Sequence, residues 1–332
     1  MSRPHTIGSE IIETLKYLLF KRKDLSDPES WESLNPDGSH RAVEGFLEML
    51  REDKHSDASN VRRERKQSFT IKEVMNPGNS KNNLELDISG CSLKSLPSQI
   101  ARSFFGINKI NCGRNPFREE SLSLVGFSEL TWLDCSNCEL KSLPKGIKNL
   151  VTLKCSGNYI QILTERDLQF DNIRYLCLSY NMIKNIPDQI GNLNNLEKLD
   201  ISHNRIRKIP ESVGDLKNLK NFNCSFNKIE VIPSEIGNLV ELRTLLCHSN
   251  KIKRIPEEIG NLLELKTLDF SNNKLEDLPT QISFLREIED LDVSNNPLSE
   301  FQGNENCLND GPIEYFKTYG MNGYTTKSAN KT

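Results

Sequence analysis

Asn181, Asn204, Asn227, Asn250 and Asn273 follow one another at intervals of 23 residues, and Asn296 continues the series. A fixed period of this length confines the chain to an array of like units, each too small to bury its apolar face except against its neighbours. Around each asparagine the eighth, fifth and third residues before it are apolar, as are the second and fifth after it, and a proline commonly follows. The stretch from Ile186 to Asn204, IPDQIGNLNNLEKLDISHN, shows the whole unit. Going backward, the anchor position is held by Asn158, Cys138, Asn115 and Cys91, at intervals of 23, 20, 23 and 24 residues, which makes ten units. The 20-residue unit keeps Leu140, Leu143, Pro144, Ile147 and Leu150 and shortens only the return segment, so its strand side is spared.

In each unit a short strand, for example Lys198 to Ile201, places alternate side chains inward, because successive strand residues point to opposite faces. The anchor asparagine then turns the chain, its amide offering donors and an acceptor to backbone groups in a buried bend. Ile-Gly-Asn-Leu, at Ile190 to Leu193, Ile236 to Leu239 and Ile259 to Leu262, returns along the convex side as a short helical or irregular piece.

These positions spell L-x-x-L-x-L-x-x-N-x-L, the leucine-rich-repeat pattern. From Leu84 to about Phe301 the chain resembles that family, and the units with L-P or I-P followed by x-x-I-G-N-L resemble its intracellular Ras-group members. Similar units occur in Roco proteins, cell-polarity scaffolds and plant disease-resistance proteins. The closing Asn296-Pro297-Leu298, followed by a helix near Ile313, resembles the way such arrays end. The resemblance implies an α/β fold: a curved solenoid of about ten repeats with a parallel β-sheet on its concave face and an N-terminal helical cap. It also implies a protein-binding scaffold without chemistry of its own. A free-standing array with a helical N-terminal piece is similar, too, to leucine-rich-repeat effectors that intracellular bacteria deliver into host cytoplasm to redirect signalling or ubiquitin pathways.

Three regions follow: an N-terminal helical region and linker over 1–78, the array over 83–300, and a C-terminal cap helix with a polar tail over 301–332. In the first, Ile11, Leu15, Leu18 and Leu19 make one helical face and Val43, Phe46, Leu47 and Leu50 another, with Pro36-Asp37-Gly38 between them. This segment is either a cap on the open end of the core or a separate module on a linker. After the array, Gly311-Pro312-Ile313 opens a short helix with proline in its first turn.

Lys and Arg number 43 against 46 for Asp and Glu, a net charge of −3, which excludes a polyelectrolyte-binding bias and with it nucleic acid as a partner. No apolar run near the start reaches the roughly 20 residues of a membrane span, so no membrane insertion is expected, and Glu10, Glu13 and Lys16 interrupt the only candidate for a signal sequence. Nine cysteines, an odd number, read as free thiols in a cytoplasmic protein. Cys112, Cys135, Cys155, Cys224 and Cys247 all stand three before an anchor, where they serve as small core residues. Cys135-Ser-Asn-Cys138 falls on inward columns and is read as packing rather than as a redox or zinc pair. No triad, paired carboxylates or phosphate loop is evident, and neither a catalytic role, a metal nor a cofactor is expected.

Exposed side chains on the inner face are expected six, four, two and one before each anchor and one after it. The column just before the anchors reads Gly90, Arg114, Asn137, Gly157, Tyr180, His203, Phe226, Ser249, Asn272, Asn295. It aligns Tyr180, His203 and Phe226 on consecutive strands, with Trp132, Tyr159, Tyr175, Met182, Leu246 and His248 in neighbouring columns. Exposed aromatics in a polar array are hot-spot residues for a protein partner, here one of unknown identity bound by a monomer. Arg205, Lys228, Lys251 and Lys274 follow the anchors and form a basic ridge, with Lys184, Arg207 and Lys253 two positions further on; Asp200, Asp269, Asp290 and Asp292 make the field mixed.

Overall fold

The structure, a computed structural model, describes residues 70–74, 83–96, 106–117, 122, 124–146 and 148–298. One sheet of eleven strands runs through them in sequence order. Strands β1 (Thr70–Val74), β2 (Asn83–Asp87) and β3 (Ile107–Asn111) open it. Then come β4 (Trp132–Asp134), β5 (Thr152–Lys154), β6 (Tyr175–Cys177) and β7 (Lys198–Asp200). The last four are β8 (Asn221–Asn223), β9 (Thr244–Leu246), β10 (Thr267–Asp269) and β11 (Asp290–Asp292). From β2 onward every pairing is parallel, and equivalent residues of successive units stand opposite one another, as in Tyr175↔Lys198 and Lys198↔Asn221. This is the expected solenoid.

Residues 70–74 fall in the stretch read from the sequence as linker, and the structure makes them a strand. β1 pairs antiparallel with β2, from Thr70↔Asp87 to Val74↔Asn83. It occupies the edge that β2 would otherwise offer for pairing with another chain. The helical faces expected within 1–69 and the helix expected after 300 lie outside the described residues.

On the opposite side the return segments are single 3-10 turns at Asp188–Asn192, Glu211–Asp215, Ser234–Asn238, Glu257–Asn261 and Thr280–Phe284. Each follows a proline, Pro187, Pro210, Pro233, Pro256 or Pro279, whose ring fixes φ near the value needed to enter the turn. The glycine within four of these turns is required by close approach. A Cβ on Gly214 would lie 2.5 Å from the Glu235 carbonyl oxygen, and one on Gly237 equally close to that of Glu258.

Between sheet and turns runs one continuous core, in which the −8, −5 and −3 columns are buried, as Leu196, Leu199 and Ile201 show. The anchor asparagines stitch it. The Asn204 amide donates to the carbonyls of Leu178, at 2.9 Å, and Ile201, at 3.1 Å, while its oxygen accepts the Ile183 N–H at 2.9 Å. Asn181, Asn227, Asn250 and Asn273 repeat this set, so each anchor satisfies backbone groups of its own unit and of the preceding one. Eight cysteines are buried and free. Burial, with a hydrogen bond to Cys224, pushes the Cys247 thiol well above its ordinary value.

Candidate aromatic ladder on the concave face

All ten residues immediately before the anchors have left-handed backbone, with φ from 51° at His203 to 68° at Gly157. A side chain there crowds the following carbonyl, which costs about 1–2 kcal/mol; glycine and asparagine tolerate it best. Gly90, Asn137, Gly157, Asn272 and Asn295 follow that rule. Arg114 and Ser249 depart from it, and Tyr180, His203 and Phe226 do so with rings on three consecutive units.

The three rings stack. Tyr180 and His203 have centroids 3.9 Å apart with 10° between planes, and His203 and Phe226 are 4.1 Å apart at 17°. His248, from the column two before an anchor, closes the ladder edge-on to Phe226 at 4.8 Å. Tyr180 and Phe226 remain 58% and 45% exposed, so the stack satisfies only part of their surface. Burial between its neighbours holds the His203 imidazole below its ordinary value, with His248 acting the same way and Asp200 opposing. His203 and His248 are separated by Phe226, and among the described residues no group of three or more His, Cys, Asp or Glu could hold a metal ion.

Other predicted residues stand elsewhere on the same face. Trp132 and Tyr175 share a row near the strand starts, with Thr152 between them, about 10 Å apart. Trp132 is covered by Lys109 and Lys154, whose ammonium groups lie 4.9 and 5.4 Å from its ring centroid. Tyr175 is half-buried, and burial beside Cys177 and Asp200 pushes its phenol up to about 12. Leu246, on β9, is half-buried between Asn223 and Asp269. Tyr159, 48% exposed, and half-buried Met182 stand in the column after the anchors.

The structure corrects the column two before the anchors, expected to be exposed. Ser179, Ser202, Ser225 and Ser271 are buried. The Ser202 hydroxyl and backbone N–H donate to Asp200 Oδ1 at 2.7 and 3.0 Å, and Ser271 does the same to Asp269 at 2.7 and 2.9 Å. The recurring Asp-x-Ser, also seen at Asp87 and Asp292, carried this signal, since aspartate commonly bonds its own backbone two residues on. The carboxylates of the strand face are thereby engaged within the chain.

The cations are not. Arg205, Lys228, Lys251 and Lys274 are exposed, and none of them pairs with an acid among the described residues. Elsewhere Lys109, Arg174, Lys208, Lys220 and Lys266 each reach a glutamate. Two positions beyond the ridge, Glu230 and Glu276 alternate with Lys184, Arg207 and Lys253, so the ridge is one column wide.

A repeat solenoid with this pattern defines the class, and the chain is a leucine-rich-repeat protein. The family described as leucine-rich repeat region matches residues 168–249 and 223–310, and the leucine-rich-repeat family matches 129–150. Human oligodendrocyte-myelin glycoprotein is 31% identical over 103 residues, 30% of this chain and 23% of its own length. Adenylate cyclase of Schizosaccharomyces pombe is 29% identical over 123 residues, 36% of this chain and 7% of that protein. The chain thus spans under a quarter of the curated relatives it matches. Among solved structures, the leucine-rich-repeat ectodomain of a plant membrane receptor kinase from Arabidopsis thaliana was determined in complex with Casparian strip integrity factor 2. It superposes with a TM-score of 0.55 at 28% identity, covering 62% of this chain and 26% of that one. The functional domain of InlJ from Listeria monocytogenes, described as including a cysteine ladder, gives 0.57 at 26% identity, over 66% and 45%.

The cytoplasmic expectation is corrected by these comparisons. A receptor ectodomain and a myelin glycoprotein point to an extracellular or membrane-associated setting. Free thiols misled because eight of the cysteines are core residues, and a thiol kept for packing is no report on the redox potential outside. No helix among the described residues is long and apolar enough to cross a membrane.

Proposed function

We propose that the array, residues 83–300, is a non-catalytic binding module that holds a segment of a partner protein on its concave face, with Tyr180, His203 and Phe226 at the centre of the contact. One observation carries this reading: exposed Tyr180 and Phe226 stack on half-buried His203 at left-handed positions, in a column where five of the ten residues are glycine or asparagine. Local strain retained at an exposed cluster is the signature of a working surface. Support comes from the plant ectodomain, which was solved in complex with a separate factor. The adenylate cyclase match covers too little of that enzyme to carry its activity to this chain.

The test is selection of displayed peptides against the immobilised protein, with bound sequences re-measured on two variants. Tyr180→Asn plus Phe226→Asn should weaken them about thirtyfold, the loss of about 2 kcal/mol typical of a hot-spot aromatic. The convex pair Glu257→Ala plus Glu258→Ala should leave them unchanged. The opposite pattern places the contact on the convex side and ends this proposal.

A further inference from the structure

We infer that the partner segment is bipartite, an apolar stretch adjoining an acidic one, lying extended across the repeats along the column that follows the anchors. The inference rests on the binding role proposed above and assigns the chemistry of what is bound and where along the array each part lies.

That column reads Tyr159, Met182, Arg205, Lys228, Lys251, Lys274. Its backbone is one uninterrupted ladder, each N–H donating to the preceding unit, from Tyr159 to Leu140 at 2.8 Å through Lys274 to Ile252 at 2.9 Å. The six side chains therefore stand in register, about 4.8 Å apart. The first two are apolar and the last four cationic, so the column changes character once. The apolar end adjoins Tyr180, itself 58% exposed, and the rings of His203 and Phe226 continue beneath the start of the cationic part.

Charge complementarity selects the occupant. The concave face carries both signs, but its aspartates are engaged: Asp200 and Asp269 each accept two hydrogen bonds from a serine two residues on. The four cations have no acidic partner among the described residues. The bonded aspartates keep their charge but are held back against their own serines, and the column after the anchors carries only positive charge from Arg205 to Lys274, over three strand spacings or about 14 Å. An extended peptide rises about 3.3 Å per residue, so four or five acidic residues match the cations and two or three apolar residues adjoin them at the Tyr159 end.

The experiment uses a labelled synthetic peptide of two tryptophans followed by five glutamates, and a second with glutamine in place of every glutamate. Fluorescence anisotropy is measured against the full chain at low and physiological salt. The acidic peptide should bind at least tenfold tighter than the glutamine peptide. Lys228→Glu plus Lys251→Glu should erase that difference, with thermal melting confirming the fold. Tyr159→Ser plus Met182→Ser should weaken both peptides alike. A photoreactive group on the tryptophan end should label the unit of Tyr159 and Met182, and one on the glutamate end that of Lys251 and Lys274. Equal binding of the two peptides, binding of neither, or indifference to charge reversal overturns the inference. None of these outcomes touches the aromatic contact, whose dependence on Tyr180 and Phe226 is read separately.

Discussion

The imidazole of His203 lies face to face with the ring of Tyr180, centroids 3.9 Å apart, while both residues hold φ values that side chains of their size rarely adopt. Stacking of this kind is worth about 0.5–1.5 kcal/mol per pair, comparable with the left-handed cost of about 1–2 kcal/mol per residue. The ladder is therefore close to neutral for folding, and its retention has to be explained by what it contacts.

Replacing Tyr180, His203 and Phe226 together by asparagine, the residue the chain places at Asn137, Asn272 and Asn295, should shift the thermal midpoint by no more than about 4 °C, or raise it. Calorimetry decides. A drop well beyond that would mean that the rings hold the fold together.

His203 should titrate below the ordinary histidine value of about 6.5 in imidazole proton spectra, and Tyr180→Asn should move it back up. Because the folded value is the lower one, the unfolded chain takes up the proton first as pH falls. Stability from this group is complete above about pH 6.5, declines below it, and levels off once the folded imidazole is also protonated. Titration at or above the ordinary value would contradict the role given to burial.

The period, the strand positions, the core columns and the packing role of the cysteines were all legible, because repeat spacing fixes which residues share a column. The stacking of Tyr180 on His203 followed from that same alignment. Their left-handed backbone did not, although the glycines and asparagines elsewhere in the column were its trace. The burial of Ser202 and its equivalents was missed because a column rule places side chains by direction alone, and a short hydroxyl folds back onto the aspartate beside it. β1 was missed because Thr70 to Val74 lies outside the period, and its partner strand is recognisable only once the array has an edge.

Asn204→Ala should cost about 1–3 kcal/mol, since the Ile183 N–H would be left buried without a partner, while the Leu178 and Ile201 carbonyls keep the amides of Asn181 and Asn227. His203→Asn, one residue away, should cost under about 1 kcal/mol, because the stacking it loses is offset by relief at a left-handed position. Denaturant melts of the two proteins compare them directly, and equal losses would refute the stitching role of the anchor.

Eight cysteines should resist a thiol reagent in the folded protein and react together on unfolding, because each is buried and unbridged. Hydrogen bonding to Cys138 and burial also hold the Cys112 thiol well above its ordinary value, which suppresses the reactive thiolate. Mass spectrometry of alkylated samples counts them. Rapid labelling of Cys224 or Cys247 in the native state would show that the core opens.

Gly214 and Gly237 are buried between the turns on the side opposite the rings, yet they set how far the rings can reach. With no side chain between the backs of adjacent units, the turns nest as closely as their carbonyls permit. A methyl group there would act as a wedge, spreading the backs and bending the arc more tightly at the front. The length of chain that the front can span is in this way gauged from behind, by atoms that are missing from the far side of the molecule.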